Sequence, residues 1–198
     1  MKYQNVYSNA RFIGAVGVVD VYGNENTIAK VARICRGVQP ERAEEFTDES
    51  NKKLVSNLLN LKHYRPFEFC AALVYFEAPI YVERQLRTYR KPDIERSLRS
   101  CAPYVLKSGN GMIDAFNASA IKTYNQLIEA GEKREEARRV LPLDTITAWY
   151  SLINIRQLLH IFEERLAPAA QSETRAFCQT LKNLVSADFP TIFKELEK

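Results

Sequence analysis

The stretch FEFCAALVYFE, from Phe67 to Glu77, leaves this chain the fewest choices of fold. It is dense in aromatic and β-branched residues, and Ala78-Pro79 punctuates it. Such a run reads as a β-strand, and a strand this apolar needs a second layer to cover it. Pro79 suits the first turn of a following helix. Winding Ile80 to Arg90 as that helix puts Val82, Leu86 and Tyr89 on one face and gathers Arg84, Arg87 and Arg90 on another arc. Lys91-Pro92 ends it, and Asp93 is placed to cap a short second helix, IERSLRS.

The remaining periodicity is mostly helical. ARFIGAVGVVDVYG closes on Tyr22-Gly23-Asn24 and predicts a strand and a turn. NTIAKVARICRG spaces Ile28, Val31, Ala32 and Cys35 as a helix ending at Gly37. ERAEEFTDESNKKLVSNLLNLKH predicts another helix, with Leu54, Leu58 and Leu61 on one side. An amphipathic helix is expected from about Ile113 to Ala130, and a short one in EKREEARRVLPL. DTITAWYSLINIRQLLHIFEERLA predicts the longest helix, capped by Asp144 and buried along Ile146, Trp149, Ile153 and Leu159. QSETRAFCQTLKNLVSADFPTIFKEL supplies a terminal helix. Helices around one sheet make the class α+β.

Composition narrows the functional classes. At 198 residues the chain fits one domain, 1–198, and 46% hydrophobic residues are enough for a core. A net charge of +4 is a weak footprint for nucleic-acid binding. Cys35, Cys70, Cys101 and Cys178 lie far apart with no CxxC, so no metal site is expected and the thiols read as reduced. Neither a signal-type apolar core nor a stretch able to span a bilayer is visible, so the expected setting is soluble and cytoplasmic, with no membrane partner.

Two constellations carry chemistry. Five arginines lie between Arg84 and Ser100. Glu83, Asp93 and Glu95 could neutralise several of them; alternatively the guanidinium groups, with Ser97 and Ser100, suit a phosphate through forked, charge-assisted hydrogen bonds. On the long helix, Arg156 and His160 share one face, as do Asn154 and Arg165. Polar groups among the apolar residues of INIRQLLHIF need partners if buried, and a flat heteroaromatic ligand with amide-like edges would supply them. Arg138, in EKREEARR, is a further candidate cation, and His63 one of only two histidines. No Ser/His/Asp set, HExxH, P-loop or GxGxxG is present.

In order and spacing these pieces resemble flavin-dependent thymidylate synthase, the ThyX family. His63-Tyr64-Arg65-Pro66-Phe67-Glu68 matches its H-x-x-P-F-E, APIYVERQ its A-P-I-[FY]-V-x-R-Q, and Glu95-Arg96-Ser97-Leu98-Arg99 its E-x-S-x-R. EEARRVLPL, NIRQLLHIFEERL, AQSE and the early Ala32-Arg33 follow in order, so the resemblance covers nearly the whole chain. It implies a homotetramer with active sites shared between subunits, FAD lying between subunits and dUMP beside its ring. Carried over by motif, Gln85, Glu95, Ser97, Arg99, Arg138 and Arg165 hold the nucleotide, and Leu98 offers backbone. His63, Arg65, Glu68, Tyr89, Arg90, Asn154, Arg156 and His160 approach the flavin. The implied reaction is reductive methylation of dUMP to dTMP, with methylenetetrahydrofolate giving the one-carbon unit and NADPH reducing FAD. Arg165, set over the uracil carbonyl, is the implied catalytic cation.

The family signature R-H-R-x-x-S is altered here. Its first three positions read Thr88-Tyr89-Arg90, its serine is Asp93, and Arg87 stands one residue before the lost cation. Three functions follow as alternatives: an active synthase, a divergent flavin- or nucleotide-binding relative with lost or altered chemistry, and a non-enzymatic module whose arginines bind nucleic acid.

Overall fold

A computed structural model describes residues 1–196. Strands β1 (Lys2–Ser8) and β2 (Arg11–Tyr22) open the chain, and helices α1 (Glu25–Ile34) and α2 (Asp48–Asn60) follow. Strand β3 (Ala71–Pro79) runs directly into α3 (Ile80–Leu86), and a short strand β4 (Asp93–Glu95) comes next. Helices α4 (Gly111–Glu129) and α5 (Arg134–Ala137) precede β5 (Ile146–Asn154), and α6 (Ile155–Arg165), α7 (Ser172–Ser186) and α8 (Pro190–Glu195) form a helical C-terminal region. The five strands pair in the order β1-β2-β3-β5-β4, every pair antiparallel. The α+β class is correct.

The expected central strand is present but starts at Ala71, because Pro66 begins a 3-10 turn over Arg65–Phe69 instead. Its burial alternates strictly: Ala72, Val74, Phe76 and Ala78 face the helices, and Leu73, Tyr75 and Glu77 face the other way. Phe76 stacks on Trp149 of β5 with ring centroids 4.9 Å apart. Helices α1, α2, α6, α7 and α8 cover that face, with Ile28, Val55, Phe67, Leu158, Phe177 and Phe189 fully buried there. The opposite face carries Tyr3, Tyr75 and Tyr150 in a row across β1, β3 and β5, at centroid spacings of 6.5 and 5.3 Å.

Four expected elements are corrected. The predicted long helix from Asp144 is a strand to Asn154 and a helix after it. Ile146, Trp149 and Ile153 fit a helical stripe, yet ITAWYSLI is β-branched and aromatic, and pairing with β3 over its whole length decides the matter. The helix cap is therefore Asn154, not Asp144, and Asp144 instead accepts a hydrogen bond from Asn117 at 2.7 Å. Asp93 caps nothing; β4 pairs with β5, and the Asp93 carboxylate receives the Ser151 hydroxyl. Helix α3 stops at Leu86, so Arg87 is its C-cap and Arg90 lies beyond it. The helix expected from Glu41 begins only at Asp48, behind a 3-10 turn over Pro40–Glu45. Strand β1 was not anticipated.

Candidate active site

Helix α6 is the platform of the site. Asn154 starts it with a reciprocal cap: its side chain accepts from Gln157 N at 2.8 Å, and Gln157 Oε1 accepts from Asn154 N at 3.1 Å. Gln157 also donates to the Arg90 carbonyl at 2.7 Å, tying the segment after α3 to the helix. Beside this helix lies a groove of ≈ 870 Å³. Glu68, Asn154, Arg156 and His160 line its polar side and Leu59, Leu159, Phe162 and Leu166 its apolar side, with Lys62 and Lys182 adding positive charge. Arg156 is paired with Glu68 across the groove.

One helical turn along, a second group adjoins the groove. The Tyr89 ring meets His160 edge-on at 5.6 Å, and its hydroxyl donates to Glu164 at 2.5 Å. Burial, then Glu164, pushes the Tyr89 phenol far up, while the Tyr89 hydrogen bond holds the Glu164 carboxyl below its usual range. Arg165 lies over the Tyr89 ring at 5.3 Å and donates to Thr88 Oγ1 at 3.3 Å. Its Nε is buried without a hydrogen-bond partner. A buried guanidinium N–H left unpaired is costly. Gln85 completes the group: it donates to Gln171 and accepts from Thr174 at 3.1 Å.

A family model described as Thymidylate synthase complementing protein matches residues 17–191. The chain belongs to that family. It is 26% identical over 210 residues to a flavin-dependent thymidylate synthase of Thermus thermophilus, covering 93% of this chain and 76% of that protein. A protein of the same description from Thermotoga neapolitana is 26% identical over 206 residues, covering 93% and 91%. In fold, the chain is similar to a UMP/dUMP methylase, PolB, from Streptomyces cacaoi, crystallised with 5-Br dUMP, at a TM-score of 0.80 and 21% identity over 92% of this chain and 94% of that one. Membership of the thymidylate synthase complementing family places the chain in an enzyme family and accounts for the linked motifs.

Against that family frame, the sequence-derived residues fall into three places. Glu68, Asn154, Arg156 and His160 share the groove. Tyr89 and Arg90 are tied to the same helix through His160 and Gln157, Arg165 ends that helix, and Gln85 accepts at its carbonyl from Thr88. Exposed Arg65 begins the 3-10 turn that also carries Glu68, and His63 lines a different groove, between α1 and α2. Ser97, Leu98, Arg99 and Arg138 gather apart, beyond β4. Arg99 reaches Glu135 at 3.6 Å, and Arg138 donates to the Glu135 carbonyl at 3.3 Å. Ser97 Oγ accepts from Arg99 N at 3.3 Å, and half-buried Leu98 separates those two exposed residues.

The arginine-rich segment divides between both readings of it. Arg87 is held by Glu83 and Glu95 at 2.6 Å each and by Asp93 at 3.7 Å. Glu95 also accepts from Thr147 at 2.9 Å. Arg96 pairs with Glu77 at 3.4 Å. Arg87 is thus engaged by carboxylates, while Arg84 and Arg90 are exposed and free of ion pairs among the described residues. Gln157, Glu164 and Thr174 are contributors that the sequence did not single out, and Thr88 stood there only as the place of a lost cation. Gln157 was findable, because Asn154-Ile-Arg-Gln157 has the spelling of a capping box. Glu164 and Thr174 carry no sequence signal, since each meets a residue far along the chain.

Proposed function

We propose that this protein binds FAD in the α6 groove and catalyses reductive methylation at C5 of a uridine monophosphate, dUMP to dTMP, with methylenetetrahydrofolate and NADPH as co-substrates. The observation that carries the reading is the half-apolar groove beside α6, where Lys62, Arg156 and Lys182 stand with Glu68 and Glu163 against a wall of leucine and phenylalanine. The groove's volume lies within the roughly 300–1,000 Å³ usual for cofactor sites. Its cations suit phosphates, and its Leu and Phe wall suits a flat ring, so the residues fit the cofactor.

Glu68, Asn154, Arg156 and His160 would hold FAD from the groove, Tyr89 and Arg90 from the segment tied to α6, and Arg65 from the turn before β3, with His63 two residues earlier at the groove between α1 and α2. Bound there, the cofactor supplies hydride-level reducing equivalents. The chain's own part is binding and polarisation. Arg165, kept in place by Thr88 and the Tyr89 ring, presents N–H groups to a uracil carbonyl and stabilises charge developing on the pyrimidine when C5 acts as a nucleophile. Gln85 positions the ring beside it, which lowers the entropic part of the barrier.

Ser97, Leu98, Arg99, Arg138 and Glu95 serve the nucleotide as a second cluster, the phosphate clamp of a neighbouring protomer's site in a homotetramer. Two exposed apolar surfaces support assembly. Ile94 (77% exposed) and Tyr150 edge the open sheet face, and Met112 (83%) and Phe116 (64%) project from α4, which packs mainly on α5 and the turn after it. Among the described residues no helix is long and apolar enough to cross a membrane.

The test is a visible spectrum of the purified protein with added FAD, followed by product analysis with dUMP and, separately, UMP. A flavin band that shifts on nucleotide addition, together with methylated product, is expected; no flavin uptake refutes the reading. One observation favours a second reading, a relative with altered chemistry: Arg87, engaged by three acidic side chains, does not make good the cation lost at Thr88. A yellow protein that yields no methylated nucleotide selects it.

A further inference from the structure

We propose that Glu77 is a positioning residue for the nucleotide. Its carboxylate fastens both ends of the segment 96–104, which carries Ser97, Leu98 and Arg99, and so holds that segment in the shape that receives the phosphate of a nucleoside monophosphate. The ligand of the segment rests on the proposed reaction; the fastening itself is a feature of the fold.

Strand β3 supplies the anchor. Its alternation turns Tyr75 and Glu77 together onto the open face of the sheet, away from the helices. There three donors meet one carboxylate. Tyr104 donates to Oε1 at 2.9 Å, Tyr75 to Oε2 at 2.9 Å, and Arg96 to Oε2 at 3.4 Å. Burial, then Glu77, pushes the Tyr75 phenol up to about 12 and raises that of Tyr104, so both remain protonated donors at neutral pH.

Arg96 and Tyr104 bracket the segment. Backbone bonds fix the same two points: Arg96 N donates to the Ala148 carbonyl at 2.7 Å, and Ile146 N to the Tyr104 carbonyl at 2.9 Å. Among the described residues the hydrogen bonds between those points are internal, from Arg99 N to Ser97 Oγ at 3.3 Å and from Ser100 N to the Ser97 carbonyl at 2.9 Å. Arg99 adds an ion pair with Glu135 at 3.6 Å, but both side chains are well exposed, and such a pair holds little. The segment is therefore secured at its ends, and the side chains at both ends converge on Glu77. A loop ordered before its ligand arrives loses less freedom on binding, which raises affinity without a further contact. Glu77 acts through Arg96 and Tyr104 in this way.

The test compares wild type, Glu77→Gln and Tyr104→Phe, each as the full chain with FAD added. Glu77→Gln keeps the shape and removes the charge that Arg96 pairs with; Tyr104→Phe deletes one hydroxyl from an exposed ring and spares the fold. Titration calorimetry reads the affinity for dUMP and for deoxyuridine, which lacks the phosphate. Hydrogen exchange followed by mass spectrometry reads the segment 97–103. Both variants are expected to exchange faster there and to bind dUMP more weakly, by about tenfold for Glu77→Gln and less for Tyr104→Phe, with deoxyuridine affinity unchanged within about twofold. Equal losses for both ligands would show a site disturbed as a whole, and unaltered exchange would show that Glu77 does not hold the segment; either overturns the proposal. A wild type that methylates dUMP while Glu77→Gln retains full dUMP affinity keeps the reaction and loses this inference. A wild type that binds no dUMP loses the reaction and the nucleotide role of Glu77 together, even where exchange in the segment responds to the substitution.

Discussion

Arg87→Met separates a structural arginine from a ligand-binding one. Glu83 and Asp93 are side chains only 8% and 9% exposed, and Arg87 is the cation that joins both of them to Glu95 and so fastens α3 to the edge of the sheet. Removing it leaves Lys91 for Asp93, at 3.0 Å, but no cation for Glu83. Breaking a buried pair costs about 3–5 kcal/mol; Arg87 is itself 32% exposed, so roughly 2–4 kcal/mol is expected here. For a chain of this size that is a fall of roughly 4–16 °C in Tm. Urea denaturation followed by circular dichroism measures it. Arg87→Lys should lose less, and Glu83→Gln added to Arg87→Met should recover part of the loss by removing the stranded charge. A change below about 0.5 kcal/mol in Arg87→Met, with nucleotide binding lost instead, would refute the structural assignment.

Three further outcomes follow from the site and the core. Arg165→Gln should lower kcat by roughly 10²–10³-fold while sparing flavin content, measured by turnover against the flavin absorbance; unchanged turnover would remove Arg165 from catalysis. The Glu164 carboxyl is held low by Tyr89, so its contribution to stability is present above the ordinary carboxylate range and is lost as pH falls through the depressed folded value. Urea midpoints of the wild type should therefore drop more steeply below about pH 4 than those of Tyr89→Phe, and superposable acid limbs would contradict the linkage. Burial pushes the Cys70 thiol up to about 11 and the Cys178 thiol to about 12, so alkylation of the native protein at pH 8, read by mass spectrometry, should mark exposed Cys35 and leave those two unmodified.

How far the sequence was legible depended on how local the deciding force was. Helices α1 and α4 were visible because their apolar spacing, and for α1 the stop at Gly37, are local facts. Strand β5 was not, because Ile146, Trp149 and Ile153 satisfy a helical stripe as well as a buried strand, and only the partner strand β3 separates the two. Asp93 has the chemistry of a cap and is used as an acceptor for Ser151, 58 residues away. The candidate site followed the same division. The motifs revealed which residue types belong together, and the fold brought Glu68, Asn154, Arg156 and His160 to one groove, while Ser97, Arg99 and Arg138 stayed apart from it.

By itself, the order of residues determined the family, the α+β class and the short list of cations that matter. Tertiary structure alone decided which of those cations are already neutralised. A guanidinium cannot lose its charge, so its role depends on what stands opposite it. Arg156 finds Glu68, 88 residues away, and Arg165 finds Thr88, 77 away. Chain separation of that size leaves no trace in local pattern, whereas the carboxylates that hold Arg87, namely Glu83, Asp93 and Glu95, stand close to it in the chain and were legible there.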